Sequence, residues 1–204
     1  DTEVVHASSL TGMGELMKNG CTTCFDHHYV FPAGCGDLLG AQFAAADELG
    51  MRMVASRGSM DLSVKDGGLP PDSVVQSVDA ILEDSAALIE RWHDPSYGSM
   101  RQIALAPCSP FSVSRELLLQ SAKLARQYHV RLHTHLAETK DEEHYTLDRY
   151  GLRPLAYLES LGWVGPDVWF AHGIHFTDAE LDLLAETGTG VAHCPVSNMK
   201  LSSG

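Results

Sequence analysis

"RLHTHLAETKDEEH", residues 131–144, decides the fold, because an apolar run with two histidines gives way within a few residues to a burst of charge. His133 and His135 lie two apart, so on an extended strand both point to the same face. Thr139 and Glu142 then stand in capping-box spacing, a hydroxyl and a carboxylate placed where the first N–H groups of a helix need acceptors. A strand that hands over this directly to a helix is half of a βα unit.

The same handover repeats along the chain. "TTCF" (22–25), "RMVAS" (52–56), "QIALAP" (102–107), "VRLHTHL" (130–136), "VWFAH" (168–172) and "TGVAHCP" (189–195) read as strands, each short and flanked by Gly, Pro or polar residues. Helical patterns fall at about 8–18, 37–50, 72–93, 114–128, 140–161 and 177–187, the last with a second capping box at Thr177 and Glu180. Strand and helix alternating in this way predict parallel strands with right-handed crossovers. No Gly-rich phosphate turn follows the first strand, so the series suits an α/β fold of the (β/α)8 TIM-barrel type better than a dinucleotide fold. The sequence opens on a helix and stops soon after a strand, in "SNMKLSSG". The expectation is one incomplete barrel domain over 1–204, strands two to seven only, with the flanking parts missing and two strand edges exposed. By itself such a chain is expected to aggregate, to hold metal weakly and to turn over nothing.

Composition narrows the partners. The chain has 204 residues, 44% hydrophobic and 20% charged, enough for one sizeable core. A net charge of −13 with only 14 Lys and Arg argues against nucleic acid, whose affinity rests on neutralised phosphates. No apolar stretch approaches the ~20 residues of a membrane span, and "DTEVVHASSL" lacks the features of a secretion signal, so no membrane partner is expected and the cytoplasm is the default location. Five cysteines, at 21, 24, 35, 108 and 194, form no disulfide framework. Cys21 and Cys24 make a C-x-x-C without the second pair that a structural zinc needs, and read as core thiols.

In a barrel the reactive residues gather at the C-terminal ends of the strands. Asp26, His27 and His28 follow the first strand here, Arg57 the second, Cys108 the third, His135 and Glu138 the fourth, His172 and His175 the fifth, and His193 the sixth. Imidazole suits zinc or iron, and Glu138 just past the strand end is placed to turn back toward a bound water. His133 and His135 alone fit buried, hydrogen-bonded histidines equally well; His172, ending the neighbouring strand, shifts the balance toward a site. Arg57 opens a long Gly/Pro-rich loop and reads either as a guanidinium holding a ligand carbonyl or as a surface arginine. Cys108 reads as a substrate contact or as packing, and of His27 and His28 one must face away from the pocket. His6, His93, His129 and His144 read as solvated, and Trp92, Trp163 and Trp169 as packing helices onto the barrel.

"HTHLAET", "FAHGIHFTDAE" and "VAHCPVSNMKLSSG" together resemble the amidohydrolase superfamily, in its cytosine deaminase and chlorohydrolase-like branch. The likeness covers essentially the whole chain, and "SRGSMDLSVKDGGLPPDSVVQ" further resembles the 8-oxoguanine deaminases. The resemblance implies one divalent metal ion, usually Zn²⁺ with Fe²⁺ as the alternative. Its ligands are an H-x-H pair on strand one, a histidine on strand five and an aspartate on strand eight. His135 matches the strand-five ligand, Glu138 the acid that shuttles protons, and His172 the strand-six histidine that orients water or substrate. The H-x-H pair and the aspartate have no match. Binuclear relatives are similar to one another in a lysine ending strand four, and "IALAPCSPF" has none, with Lys123 well into the next helix.

The same resemblance implies hydrolytic deamination of a small aminated heterocycle, 8-oxoguanine or a related purine first, with release of ammonia. An s-triazine chlorohydrolase or aminohydrolase and a guanine or adenosine-derivative deaminase are alternatives, guanine being disfavoured by the lack of a "P-R-F" after strand four. From another class, the chain is a non-catalytic barrel protein or an inert fragment. A homo-oligomer is left open.

Overall fold

A computed structural model describes residues 1–203, in which helices and strands alternate as the pattern predicts. The strands are β1 (Thr23–Asp26), β2 (Arg52–Ser59), β3 (Arg101–Pro107), β4 (Arg131–Leu136), β5 (Val168–His172) and β6 (Gly190–Ala192). The helices are α1 (Thr2–Lys18), α2 (Leu38–Leu49), α3 (Val78–Trp92), α4 (Arg115–Tyr128), α5 (Lys140–Tyr150), α6 (Pro154–Ser160), α7 (Asp178–Thr187) and α8 (Pro195–Leu201). Each strand pairs in parallel with the next, so the sheet order is the sequence order.

The sheet is curled into a half-barrel. Strands lie about 4.8 Å apart, so in a flat sheet β1 and β5 would be separated by four such spacings. Instead the Phe25 ring on β1 meets His133 on β4 at 4.7 Å and Trp169 on β5 at 4.9 Å between centroids. The concave face therefore carries Phe25, His133 and Trp169, and the convex face packs against the helices. There Leu39 and Phe43 of α2, Met53 and Ala55 of β2, Leu117 and Leu118 of α4, and Phe170 of β5 belong to one buried cluster. Trp163 is fully buried and its indole N–H donates to Leu118 O at 2.9 Å, pinning the segment after α6 to α4. Trp169 lies on the concave face with His133, not beneath the helices as expected, because alternation turns its neighbour Phe170 outward instead.

Several boundaries differ from the sequence pattern for local reasons. The span 140–161 is two helices, since Gly151 ends α5 in the left-handed region at φ 70° and Pro154 starts α6 at a position that needs no N–H. Residues 72–77 precede α3, which starts only after Ser77 has capped it. Pro195 starts α8, a helix that the tail reading did not include. No described helix is long and apolar enough to cross a membrane.

β2 runs three residues past the expected end at Ser56, and this relocates Arg57. Alternation sends Arg57 to the helix face, where its Nε donates to Asp84 at 2.6 Å and its Nη2 to Gln76 at 2.8 Å. Its guanidinium also covers the Phe31 ring at 4.0 Å, and its side chain is 0% exposed. The structure thus keeps Arg57 away from the mouth, and it ties α3 and the loop after β1 to the sheet. We predict that Arg57→Ala lowers unfolding free energy by on the order of 2 kcal/mol, because it empties a buried site and removes the bonds to the half-buried Gln76 and the exposed Asp84 together with the contact to Phe31. Guanidinium denaturation of the whole protein measures this; an undiminished transition midpoint would show that the network contributes nothing.

Candidate active site

Four imidazoles converge where the strands end. His27 stacks on His135 at 4.5 Å between centroids, His135 on His172 at 5.4 Å, and His133 lies below them, 4.7 Å from His27. Gly58 makes the placement of His27 feasible, since a Cβ there would come within 2.3 Å of His28 O. Its bare backbone lets Gly58 N donate to that carbonyl at 3.0 Å, and Ser56 Oγ donates to it at 3.1 Å. His28 faces away as alternation requires, with its ring edge-on to Phe31 and its Nε2–H donated to Val30 O at 3.0 Å.

Backbone carbonyls set the tautomers, because a carbonyl accepts and never donates. His135 Nδ1–H donates to Cys108 O at 2.6 Å, His27 Nε2–H to Ala106 O at 3.0 Å, and His133 Nδ1–H to Trp169 O at 3.0 Å. The remaining nitrogen of each ring carries a lone pair. His27 Nδ1 is buried with no partner. Burial, reinforced by the neighbouring imidazoles, holds the rings neutral: His27 is pushed down to about 3 and His133 to about 2, and His135 also falls below the usual range, chiefly through burial. Neutral imidazole with its other nitrogen tied to a carbonyl is the form in which histidine binds a metal.

Glu138 and His172 face one another across the mouth, with Nε2 3.7 Å from Glu138 Oε2. Both are held from behind by residues of the tail to which the sequence reading gave no role: Asn198 enters it only as the end of the H-x-P-x-S-N motif at 193–198, and Ser203 only as part of the stretch that carries the resemblance. His172 Nδ1 donates to Asn198 Oδ1 at 3.2 Å, and Asn198 Nδ2 donates to Ser203 Oγ at 2.9 Å. Ser203 Oγ in turn donates to Glu138 Oε1 at 3.5 Å, so the four side chains close a ring. His172 leaves β5 in a left-handed conformation, φ 75°, which aims its ring at His135 rather than at the helices.

The expected capping box at the start of α5 is half made. Thr139 Oγ1 accepts from Glu142 N at 3.3 Å, but the Glu142 carboxylate turns back to Ala137 N at 2.8 Å and Glu138 N at 3.4 Å. Burial pushes the Glu142 carboxyl up to about 7, against the pull of the two amides. The box at Thr177 and Glu180 is complete.

Tyr29, also missed, stands edge-on to His27 at 5.3 Å and borders an apolar recess of about 420 Å³ with Val30, Met60, Leu69 and Phe111. Cys108 lines the same recess, and its thiol is pushed up to about 11, chiefly by burial, so it is a protonated wall residue whose carbonyl does the positioning. Asp26 accepts from Gln42, His175 contributes its backbone N–H to Ala137 O at 2.9 Å, and His193 is exposed. His93, expected to be solvated, is half-buried and accepts from Ile103 N at 3.0 Å. Among the described residues no three His, Cys, Asp or Glu side chains form a group that could hold a metal ion. The donor chemistry of His135 fits a divalent ion, and the donor count of this chain does not complete a site.

Comparison with known proteins gives the family. The sequence matches the Amidohydrolase family along residues 1–204. It is 52% identical over 202 residues to an 8-oxoguanine deaminase of Pseudomonas aeruginosa, covering 99% of this chain and 45% of that protein. It is 44% identical over 196 residues to a hydroxydechloroatrazine ethylaminohydrolase of Pseudomonas sp. strain ADP, covering 96% and 40%. The structure superposes with TM-score 0.94 and 32% identity on an atrazine chlorohydrolase from Arthrobacter aurescens TC1 complexed with zinc, covering 100% of this chain and 45% of that one. The chain thus spans less than half the length of these relatives.

The burial and height of the imidazoles have two measurable consequences. We predict that in the metal-loaded whole protein His135→Ala loses bound metal while His133→Ala retains most of it, because both rings face inward but only His135 stacks on His172; metal analysis of the folded variants tests this, and equal loss in both would refute it. Stability also depends on acid. Unfolded histidine ionises near 6.5, whereas folded His27 and His133 resist protonation down to about 3 and about 2. Their contribution is complete above 6.5 and is lost as pH falls below that value. Urea unfolding of metal-free protein at pH 7.5 and 5 is expected to show this drop, smaller in His133→Phe.

Proposed function

This chain belongs to the amidohydrolase family, and from that we propose that the whole protein is a metal-dependent hydrolytic deaminase of an aminated heterocycle, 8-oxoguanine or a related purine first. The observation that carries the reading is the Glu138 carboxylate 3.7 Å from His172, whose ring stacks at 5.4 Å on neutral His135. His135 would be one ligand of the metal, with the remaining donors supplied from outside residues 1–204. Such a divalent ion, when bound, would lower the pKa of water toward neutrality. Zinc is the ion we favour, since it is present in the chlorohydrolase that this chain resembles.

The residues of this chain then have defined tasks. Water adds to the ring carbon bearing the amino group; Glu138 takes its proton and passes it to the adjacent ring nitrogen. His172, oriented by Asn198, holds the attacking oxygen in line. Transfer of the remaining hydroxyl proton to the amino group then breaks the exocyclic C–N bond, leaving a carbonyl and ammonia. The recess beside Tyr29 has the volume and apolar walls to accept a flat ring. Those same walls favour, as a second reading, an alkyl-substituted triazine. Five free thiols accord with the cytoplasm, where they stay reduced.

The test is ammonia release by the zinc-loaded whole protein from 8-oxoguanine, guanine, adenosine derivatives and aminated triazines. Glu138→Gln is expected to keep the metal and lower kcat by ~10²–10⁴-fold, since the amide accepts hydrogen bonds yet moves no proton. Near-normal turnover with an unchanged pH profile would remove Glu138 as the shuttle, and no ammonia from any substrate would favour a non-catalytic barrel.

A further inference from the structure

We infer that Glu142 is a positioning residue that fixes Glu138 by clamping the left-handed turn between β4 and α5. The inference rests on the role of Glu138 proposed above. Ala137 has φ 53°, a conformation that is strained for an L-residue with a Cβ and persists only where its surroundings enforce it. Here they do so from both sides. Glu142, 1% exposed, receives Ala137 N–H at 2.8 Å and Glu138 N–H at 3.4 Å on its two oxygens. Ala137 O is held in the opposite direction by Ile174 N and His175 N, both at 2.9 Å, in the loop that follows His172. One buried carboxylate thus fixes the backbone from which Glu138 projects, and the peptide it holds is bonded to the loop that follows His172.

The alternative is that Glu142 is an ordinary helix cap, contributing stability alone. Its geometry argues against this, since a capping glutamate bonds the N–H of the cap residue, here Thr139, and Glu142 bonds the two residues before it instead. Gln in its place offers one acceptor oxygen and turns an NH₂ toward the second amide. Asp keeps the charge but withdraws it from both.

The experiment compares whole, metal-loaded wild type, Glu142→Gln and Glu142→Asp, and adds Ala137→Gly to the Gln background. Glycine enters the left-handed region without penalty, so it lets the turn form with a weakened clamp. Two readouts are taken. Hydrogen exchange followed by mass spectrometry should speed up in peptides spanning 136–139 and 173–176 in Glu142→Gln, and this needs no activity. Steady-state kinetics should show kcat down ~10–10²-fold with KM and metal content unchanged, the size expected of a misplaced catalytic group, and partly restored by Ala137→Gly. Unchanged exchange and kcat in a folded variant would overturn the inference. So would a kcat loss that tracks metal content, or one that glycine leaves untouched. If Glu142→Gln does not fold, Glu142→Asp carries the same readouts. Wild type inactive on every substrate would refute the proposed function alone, because the exchange result still decides the clamp.

Discussion

The site depends on two parallel strands ending level with each other. The β4–β5 register pairs Leu136 with His172, so the chain leaves both strands at the same height and turns left-handed immediately afterwards, at Ala137 and at His172 itself. Gly173 N donates to Leu136 O at 3.1 Å just above that pair, and the Ala137 carbonyl takes two amides from the β5 loop. A slip of one residue would turn His133 and His135 toward the helices and part Glu138 from His172. Main-chain hydrogen bonds thus fix the spacing of the reactive side chains, and those side chains do not have to stabilise it themselves.

The histidine cluster obeys the same economy. Four imidazoles inside a barrel would be costly if any donor went unpaired. Each of the three on β4 or just after β1 donates to a carbonyl on β3 or β5 or just beyond β3, so the strand scaffold satisfies the rings one by one. Phe25 and Trp169 form the floor, edge-on to His133 or tilted against it. The unpartnered Nδ1 of His27 is the one buried imidazole atom left without a hydrogen bond among the described residues.

How much of this was legible depended on whether the signal was local. Period-two alternation placed His133 and His135 on one face, and the strand-to-helix handovers gave six parallel strands, because both patterns are written in consecutive residues. Arg57 was misplaced because Gly58 and Ser59 look like loop residues; the close approach of the His28 carbonyl, which keeps β2 extended through them, involves residues some thirty positions away. Ala137 carries no sign of a left-handed turn, as a glycine would, so Glu142 passed for half of a capping box. The Asn198 to His172 bond joins residues 26 apart across a helix and a strand, and no spacing rule announces it.

The identity of that partner has its own logic. A carboxylate behind His172 would stabilise the imidazolium and place a second negative charge close to Glu138. Asn198 orients the ring with a neutral oxygen and uses its amide to hold Ser203, which hydrogen-bonds Glu138 from the other side. The ring of four side chains therefore contains a single carboxylate. Under the function proposed above, Glu138 is thus the one carboxylate of the ring placed to take a proton from water, while Asn198 and Ser203 direct their neighbours without adding charge.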